Sequence, residues 1–172
     1  MQIRHVQGAA CCFALLAASG IACAASLTSA DQQFMTEAAR TDMIEAHEGQ
    51  MAQNQASRAD VKTFGGTLVR DHTNSYAQLT VLAAKDGVTI PKGINSAKDR
   101  TIEQLVHLKG DRFDRQFVRD EVAAHRHAIA VFKREAEHGQ NPDVKAYAQK
   151  MIPVLENHLR LAEACAKPVK RG

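Results

Sequence analysis

The chain has 172 residues, of which 45% are hydrophobic and 5% aromatic, and it lacks tryptophan. This composition suits one helix-rich domain with a sizeable core. The sequence holds 22 Lys and Arg against 19 Asp and Glu, and both signs are interleaved along its length. Recognition of nucleic acid requires a basic face, so this balance excludes nucleic acid as an expected partner.

The first 24 residues have the features of a secretory signal peptide. Arg4 precedes an apolar run at positions 8–23, and the Ala-Cys-Ala sequence at 22–24 has the small-x-small pattern of a cleavage site. The apolar run is shorter than the ~20 residues that cross a bilayer. We therefore expect a signal peptide at residues 1–24, a periplasmic protein without a transmembrane segment, and one mature domain at residues 25–172.

Three of the four cysteines lie in this leader. Cys23 is the acylation site in the alternative hypothesis of a lipid-anchored protein, but Gly20 stands where a lipoprotein signal usually carries leucine. After cleavage Cys165 is the sole cysteine, so no internal disulfide can form. Its place on an apolar helix face predicts a buried thiol that reacts slowly.

Caps and helix breakers divide the mature chain into four long helices and one short helix. Ser29 with Gln32, and Ser57 with Asp60, resemble capping boxes in front of the first two long helices. Gly87 ends the second, and the Pro, Gly and Asn content of residues 88–96 indicates a loop. The predicted helices are Asp31–Asn54, Arg58–Asp86, a short Ala97–Leu108 opened by Ser96, Asp111–His138, and a last helix that starts at Pro142 after the N-cap Asn141.

Each long helix carries a seam of residues spaced alternately by four and three, as in helices packed at about 20° in a bundle. The seams are Phe34, Ala38, Thr41, Glu45, Glu48 and Ala52; Val61, Gly65, Leu68, His72, Ser75, Leu79 and Leu82; Val118, Val122, His125, Ile129, Phe132 and Ala136; and Val144, Ala148, Met151, Leu155, His158, Ala162 and Cys165. This pattern predicts an all-α four-helix bundle with its core at about residues 31–164. The short helix lies in the connection between helices two and three.

Every seam has a polar interruption. At ~1.5 Å per residue, His72 and His125 lie about 22 and 21 Å from the starts of their helices, and His158 and Glu45 lie roughly one to one and a half turns from that height. We expect these four side chains to form one polar layer across the bundle.

Imidazole and carboxylate groups in an apolar bundle are ligands that zinc, iron, copper or nickel accept. The layer therefore predicts a transition-metal site of Glu45, His72, His125 and His158, with Glu48 and Glu121 as further candidate ligands. The alternative is structural, since buried His and Glu can satisfy each other by hydrogen bonds and fix helix register without any ligand.

Catalysis ranks third among the functional classes. A di-iron bundle needs Glu-x-x-His on two helices, and here the sole example is Glu135 with His138 at a helix end. Neither a nucleophile motif nor a phosphate-binding loop is present.

The histidines outside the seams, His47, His107 and His127, are expected in solvent. Pro153 should kink the last helix about one turn before His158.

The order and spacing of several residues resembles a known family. These residues are Glu45, the Asp71-His72-Thr73 run, Phe113-Asp114, His125, Pro153 and His158. The family consists of bacterial envelope proteins often labelled "predicted outer membrane protein", a domain of unknown function (four-one-four-two), and the similarity runs from about Asp31 to Ala164. It implies a ferritin-like bundle and export, and it supplies no activity. Phe117 stands where the family commonly shows tyrosine.

Two hypotheses of function follow. The first is a non-catalytic binding protein that holds a transition metal in the bundle. The second is a structural or stress-related envelope protein without a metal, whose histidines serve packing or contacts with an envelope partner or a second copy of the chain. A metal-dependent oxidoreductase is the third possibility.

Overall fold

The structure is a computed structural model that describes residues 27–95 and 99–167. Its helices are α1 (Ser29–Gln55), α2 (Ala59–Lys85), α3 (Arg100–Leu105), α4 (Asp111–His138) and α5 (Pro142–Ala166). These two ranges contain no strand, and the all-α prediction is confirmed. The signal peptide, its cleavage site, the acylation site at Cys23 and the predicted helix start at Ser96 and Ala97 lie outside the described residues.

The four long helices form two hairpins that pack against each other. α1 packs mainly on α2 and α4 mainly on α5, while α2–α5 and α1–α4 contacts join the hairpins. The short α3 contacts both α1 and α4. This arrangement confirms a four-helix bundle with an additional helix between α2 and α4. None of the described helices has the length and apolar character needed to cross a membrane.

The start of α1 uses a different capping box from the one expected. The Thr28 hydroxyl accepts a hydrogen bond from the Asp31 N–H, and the Asp31 carboxylate accepts one from the Thr28 N–H at 2.8 Å. The same carboxylate accepts from the N–H groups of Gln140 and Asn141 before α5. The prediction of Ser29 with Gln32 was wrong, because Asp31 serves both helix starts and the helix begins earlier.

The start of α2 is capped from another helix. The Asp114 carboxylate of α4 accepts hydrogen bonds from the N–H groups of Ser57 and Arg58 at 3.0 and 3.1 Å. Arg58 is the N-cap residue and its own side chain makes no capping bond. The predicted capping box of Ser57 with Asp60 was therefore wrong, since a tertiary contact supplies the acceptor.

The short helix is shorter than predicted. It begins after Asp99, whose carboxylate accepts from the N–H groups of Thr101 and Ile102. Beyond its end, the Gln55 amide donates to the carbonyls of Leu105 and Leu108 at 3.2 and 2.6 Å. By contrast, the Gly87 turn, the start of α4 at Asp111 and the Asn141 cap before Pro142 are confirmed.

The apolar core consists of two clusters that lie on either side of the polar layer. One cluster contains Phe34, Met35, Leu79, Phe132, Tyr147, Met151 and Leu155. The other contains Met51, Phe64, Leu68, Phe113, Phe117, Ala162 and Cys165. Along each of the four long helices the polar residues fall between members of the two clusters. The layer therefore sits deep in the bundle.

The predicted seams match the buried faces on α2 and α5, with displacements on α1 and α4. On α4, the seam residues Val122, Ile129 and Ala136 are only partly buried, whereas Phe117, Glu121 and Glu135 are buried. All seven seam residues of α5 are buried. On α1, Thr41 is only partly buried, whereas Asp42 is buried at 4% exposure. The contact face of α1 is thus rotated relative to the predicted seam, and it brings Asp42 into the interior in addition to Glu45 and Glu48.

Candidate metal centre

The structure brings the three predicted histidines into one cluster. His72 on α2, His125 on α4 and His158 on α5 are at most 2% exposed. Their ring centroids lie 5.2 Å apart for His72–His158 and His125–His158, and 6.0 Å apart for His72–His125. Each ring can offer one nitrogen such that all three nitrogens lie within 4.8 Å of one another.

One nitrogen of each ring is held by an oxygen atom. His72 Nδ1 lies 2.8 Å from Asp42 Oδ1, and His158 Nε2 lies 3.0 Å from Asp71 Oδ2. His125 Nδ1 lies 3.0 Å from the backbone carbonyl oxygen of Glu121. A carbonyl oxygen can only accept, so Nδ1 of His125 carries the hydrogen in this contact. These contacts fix the orientation of all three rings.

The remaining nitrogens of His125 and His158 face each other. His125 Nε2 lies 3.2 Å from His158 Nδ1. Once the outer nitrogens donate to Glu121 and Asp71, both facing nitrogens of the neutral rings carry lone pairs. Two lone pairs at this distance require a proton or a cation between them. His72 Nε2 is also buried, and it has no hydrogen-bond partner in the described part of the chain.

Burial keeps two of the rings neutral. It lowers the pKa of His72 to about 3, with a further contribution from the charge of His125. Burial also lowers the pKa of His158 to about 4, although the hydrogen bond that His158 donates to Asp71 raises this pKa. At neutral pH these imidazoles are therefore uncharged, which is the form that coordinates metals.

Asp71, at the edge of the cluster, supports the assignment of the His158 hydrogen to Nε2. Its side chain is 21% exposed, and it pairs with Arg70 as well as His158. Partial burial raises the pKa of Asp71, but hydrogen bonds from Arg70 and His158 outweigh it, and the pKa is lowered overall. The ionised carboxylate can only accept, so His158 Nε2 donates.

The predicted glutamate lies beside the histidine cluster rather than within it. Glu45, Glu121 and His125 each offer one atom within 4.8 Å of the others. Glu121 Oε2 lies 3.3 Å from His125 Nδ1. The structure therefore divides the predicted layer into an imidazole cluster (His72, His125 and His158) and a carboxylate cluster (Glu45, Glu121 and His125) that share His125.

The carboxylate groups of this region are buried and close together. Burial raises the pKa of Glu45 well above its ordinary value, and the charge of Glu121 raises it further. Burial likewise raises the pKa of Glu121, with the charge of Glu48 as the next cause. Glu48, the outermost of the three, has its pKa raised to about 8 by burial and by Glu45.

Asp42 was missed by the sequence analysis. Burial raises the pKa of Asp42 to about 8, while the neighbouring Ser75 and Tyr147 hydroxyls lower it. The Ser75 and Tyr147 hydroxyls are themselves 2.8 Å apart. The available signal was its position three residues before Glu45, on the same helical face. The predicted seam contained Thr41 in the turn before Glu45, and it therefore omitted Asp42.

The remaining histidines lie where the sequence placed them. His47, His107 and His127 are exposed, and so is His138 at the end of α4. Pro153 lies inside α5 with an exposed side chain. Phe117 is fully buried and stacks on Phe113 at a centroid distance of 5.4 Å, which places it in the apolar cluster below the layer.

Comparison with known proteins confirms the resemblance seen in the sequence. The chain matches the family described as "Domain of unknown function (DUF4142)" over residues 16–165. No protein with a curated function matches it significantly.

Solved structures share the fold at low sequence identity. A DUF305 fragment from Deinococcus radiodurans superposes with a TM-score of 0.72 at 14% identity, covering 82% of this chain and 97% of that one. A Streptomyces coelicolor DUF305 protein, provisionally named as secreted, gives 0.66 at 14% identity, covering 77% and 88%. CopM in its Cu(I)-bound form gives 0.66 at 16% identity, covering 78% and 93%. These likenesses establish the helical-bundle fold.

Proposed function

We propose that this chain, which belongs to the DUF4142 family, is an exported, non-catalytic protein that binds a transition-metal ion through His72, His125 and His158. The observation that carries the proposal is the arrangement of the ring nitrogens in the cluster. Each ring has one nitrogen in contact with an oxygen atom, while the other nitrogens of His125 and His158 face each other at 3.2 Å inside the bundle.

The residues present fit a metal ion. Nitrogen ligands at ~2.05 Å around a tetrahedral ion are about 3.3 Å apart, which is close to the His125–His158 separation of 3.2 Å. Metal-binding imidazoles usually donate their other N–H to a carboxylate or a carbonyl oxygen. Asp42, the Glu121 carbonyl and Asp71 occupy those positions here.

Copper is the first ion to test, and zinc is the second. Neutral imidazole suits copper, zinc, iron and nickel. Among proteins of the same fold, CopM is known in Cu(I)-, Cu(II)- and Ag-bound forms. That similarity supports a soft or borderline ion at the imidazole cluster of this chain.

A structural role is the second candidate, and the Asp42 network favours it. Asp42 contacts His72 across the α1–α2 interface, and a hydrogen bond between the Ser75 and Tyr147 hydroxyls joins α2 to α5. Such a network fixes helix register without an ion. In this case the substitution His72→Ala destabilises the protein by about 1–3 kcal/mol whether or not metal is present, because buried partners lose their hydrogen bonds.

Thermal unfolding with and without each ion separates the two candidates. An ion at a hundredfold excess over its dissociation constant stabilises the folded state by ~2.7 kcal/mol, and His72→Ala should abolish most of this gain. His127→Ala is the matched control, because His127 is exposed. An equal shift in wild type and His72→Ala, or no shift with any ion, would refute metal binding at the cluster.

Export to the periplasm forms part of the same proposal. The small-x-small sequence favours a mature N-terminus at Ala25 and an unmodified protein. Intact-mass measurement of protein isolated from the cell envelope tests this. A chain that begins at Cys23 and carries the mass of lipid would replace the proposal with an anchored lipoprotein.

A further inference from the structure

The carboxylate cluster lies between the imidazole cluster and a surface groove. The groove has a volume of about 370 Å³, and residues of α1, α3 and α4 line it. Glu45 and Glu48 both line the groove, and Asp120 lies on its α4 side. Glu45 in turn lies within 4.8 Å of Glu121 and His125 when measured between their possible ligand atoms. A continuous series of carboxylates therefore leads from the groove to a shared histidine.

The inner carboxylates have few partners, and the nearest ring nitrogen is His125 Nδ1, 3.3 Å from Glu121 Oε2. Glu45 is 4% exposed and Glu121 is 1% exposed. Within the described ranges, Glu45 Oε2 and both carboxylate oxygens of Glu121 have no hydrogen bond, and no lysine or arginine forms an ion pair with either residue. Burying such oxygens without partners is costly, and a bound cation would supply what they lack.

We propose that Glu45 and Glu121, which lie beside His125, form a second cation site, through which a divalent ion passes from the groove to the imidazole cluster. This proposal deepens the proposed function and rests on it for the destination of the ion. Oxygen ligands bind a divalent ion after it sheds part of its hydration, and the His125 ring lies between the carboxylates and the imidazole cluster. Glu48 stands at the outer edge of the site.

Binding of Mn²⁺ tests the second site directly, because Mn²⁺ suits carboxylate oxygen and is among the weakest binders of imidazole-rich sites. We expect Glu45→Gln and Glu121→Gln to weaken Mn²⁺ binding by at least about tenfold in electron paramagnetic resonance titrations of the full mature chain. His72→Ala should retain it. Glu135→Gln, which changes a buried carboxylate near the end of α4, is the control and should also retain it.

Metal delivery tests the passage. Zn²⁺ is transferred from a coloured chelator in a stopped-flow experiment, and we expect Glu45→Gln to slow the transfer about tenfold compared with wild type and Glu135→Gln. Equal transfer rates in the three proteins would overturn the passage. If Glu121→Gln does not fold, the test uses Glu45→Gln alone. Circular dichroism shows whether Glu45→Gln keeps the helical signal of wild type.

The outcomes distinguish this inference from the proposed function. If both Gln variants bind Mn²⁺ as wild type does, while His72→Ala loses stabilisation by copper or zinc, the second site is wrong and the proposed function stands. If Mn²⁺ binding depends on both glutamates, but neither copper nor zinc depends on His72, the passage to the histidines is overturned together with the proposed function. If Mn²⁺ binding and the stabilisation by copper or zinc each require both the two glutamates and His72, the ions share one site, and the proposal of a second site is overturned.

Discussion

Gly49 and Gly65 allow a close approach of α1 and α2, and this contact permits a test of the packing that aligns the three histidines. A methyl group added at Gly65 would lie 2.6 Å from the carbonyl oxygen of Gly49 and 2.7 Å from Cβ of Ala52. A methyl group at the adjacent Gly66 would meet nothing nearer than 3.8 Å, at the Gln53 side chain. Gly65→Ala and Gly66→Ala therefore make the same chemical change in different surroundings.

The two substitutions should differ in their effect on the free energy of unfolding. Alanine gains about 1 kcal/mol over glycine in a helix interior, and this gain is common to both variants. At Gly65 the clash is with backbone, which cannot rotate away, and such overpacking typically costs about 1–3 kcal/mol. We expect Gly66→Ala to be stabilising by about 0.5–1 kcal/mol and Gly65→Ala to lie about 1–3 kcal/mol below it.

Denaturation followed by circular dichroism measures this difference. For a chain of this size, each kcal/mol corresponds to about 2–4 °C in Tm. Urea titration gives the same comparison from the midpoints, provided that the slopes agree. Equal stabilities of Gly65→Ala and Gly66→Ala would refute the close α1–α2 contact, and with it the rotation of α1 that brings Asp42 to His72.

Three residues outside the imidazole and carboxylate clusters give further testable predictions. Asp114→Ala should lower the free energy of unfolding by about 1–3 kcal/mol, because its carboxylate accepts two backbone N–H groups before α2; a urea midpoint equal to that of wild type would contradict the cap. The native Cys165 thiol should react much more slowly than in the unfolded chain, since it is 5% exposed and burial raises its pKa; equal rates would place it at the surface. Glu135→Gln should stabilise the protein increasingly as the pH rises from 4.5 to about 7, because burial, followed by the neighbouring Asp31, raises the pKa of Glu135 to about 7. The folded state then keeps a proton that the unfolded chain releases, so wild-type stability falls over this pH range. A difference in Tm that does not vary with pH would argue against this account.

The sequence by itself determined the helices and the heights of the polar residues. Capping residues, glycine turns and the seam spacing act within one or two turns of chain, so the start of α4, the Asn141 cap and the Gly87 turn could be read locally. The same spacing placed His72, His125 and His158 on seams near the middle of the bundle. Their clustering follows from helix rise, which is nearly constant.

Contacts between distant segments could not be read in this way. The cap of α2 comes from Asp114, more than 50 residues along the chain, and Ser57 offered a plausible local substitute. The division of the layer into two clusters also depends on which helices are neighbours. Glu45 lies beside Glu121 and His125 because α1 and α4 are in contact.

Only the tertiary structure decided how α1 is rotated about its axis. Two sets of positions on this helix satisfy the four-three spacing, one through Thr41 and Glu48 and the other through Asp42 and Gly49. Adjacent residues differ by about 100° around a helix, and the two sets share Ala38, Glu45 and Ala52, so a rotation of about half that angle exchanges one set for the other. The backbone contact of Gly49 with Gly65 requires a position without a side chain at the interface, and Asp42 lies two turns before Gly49 on the same face. That contact is why a carboxylate, rather than a threonine, meets His72.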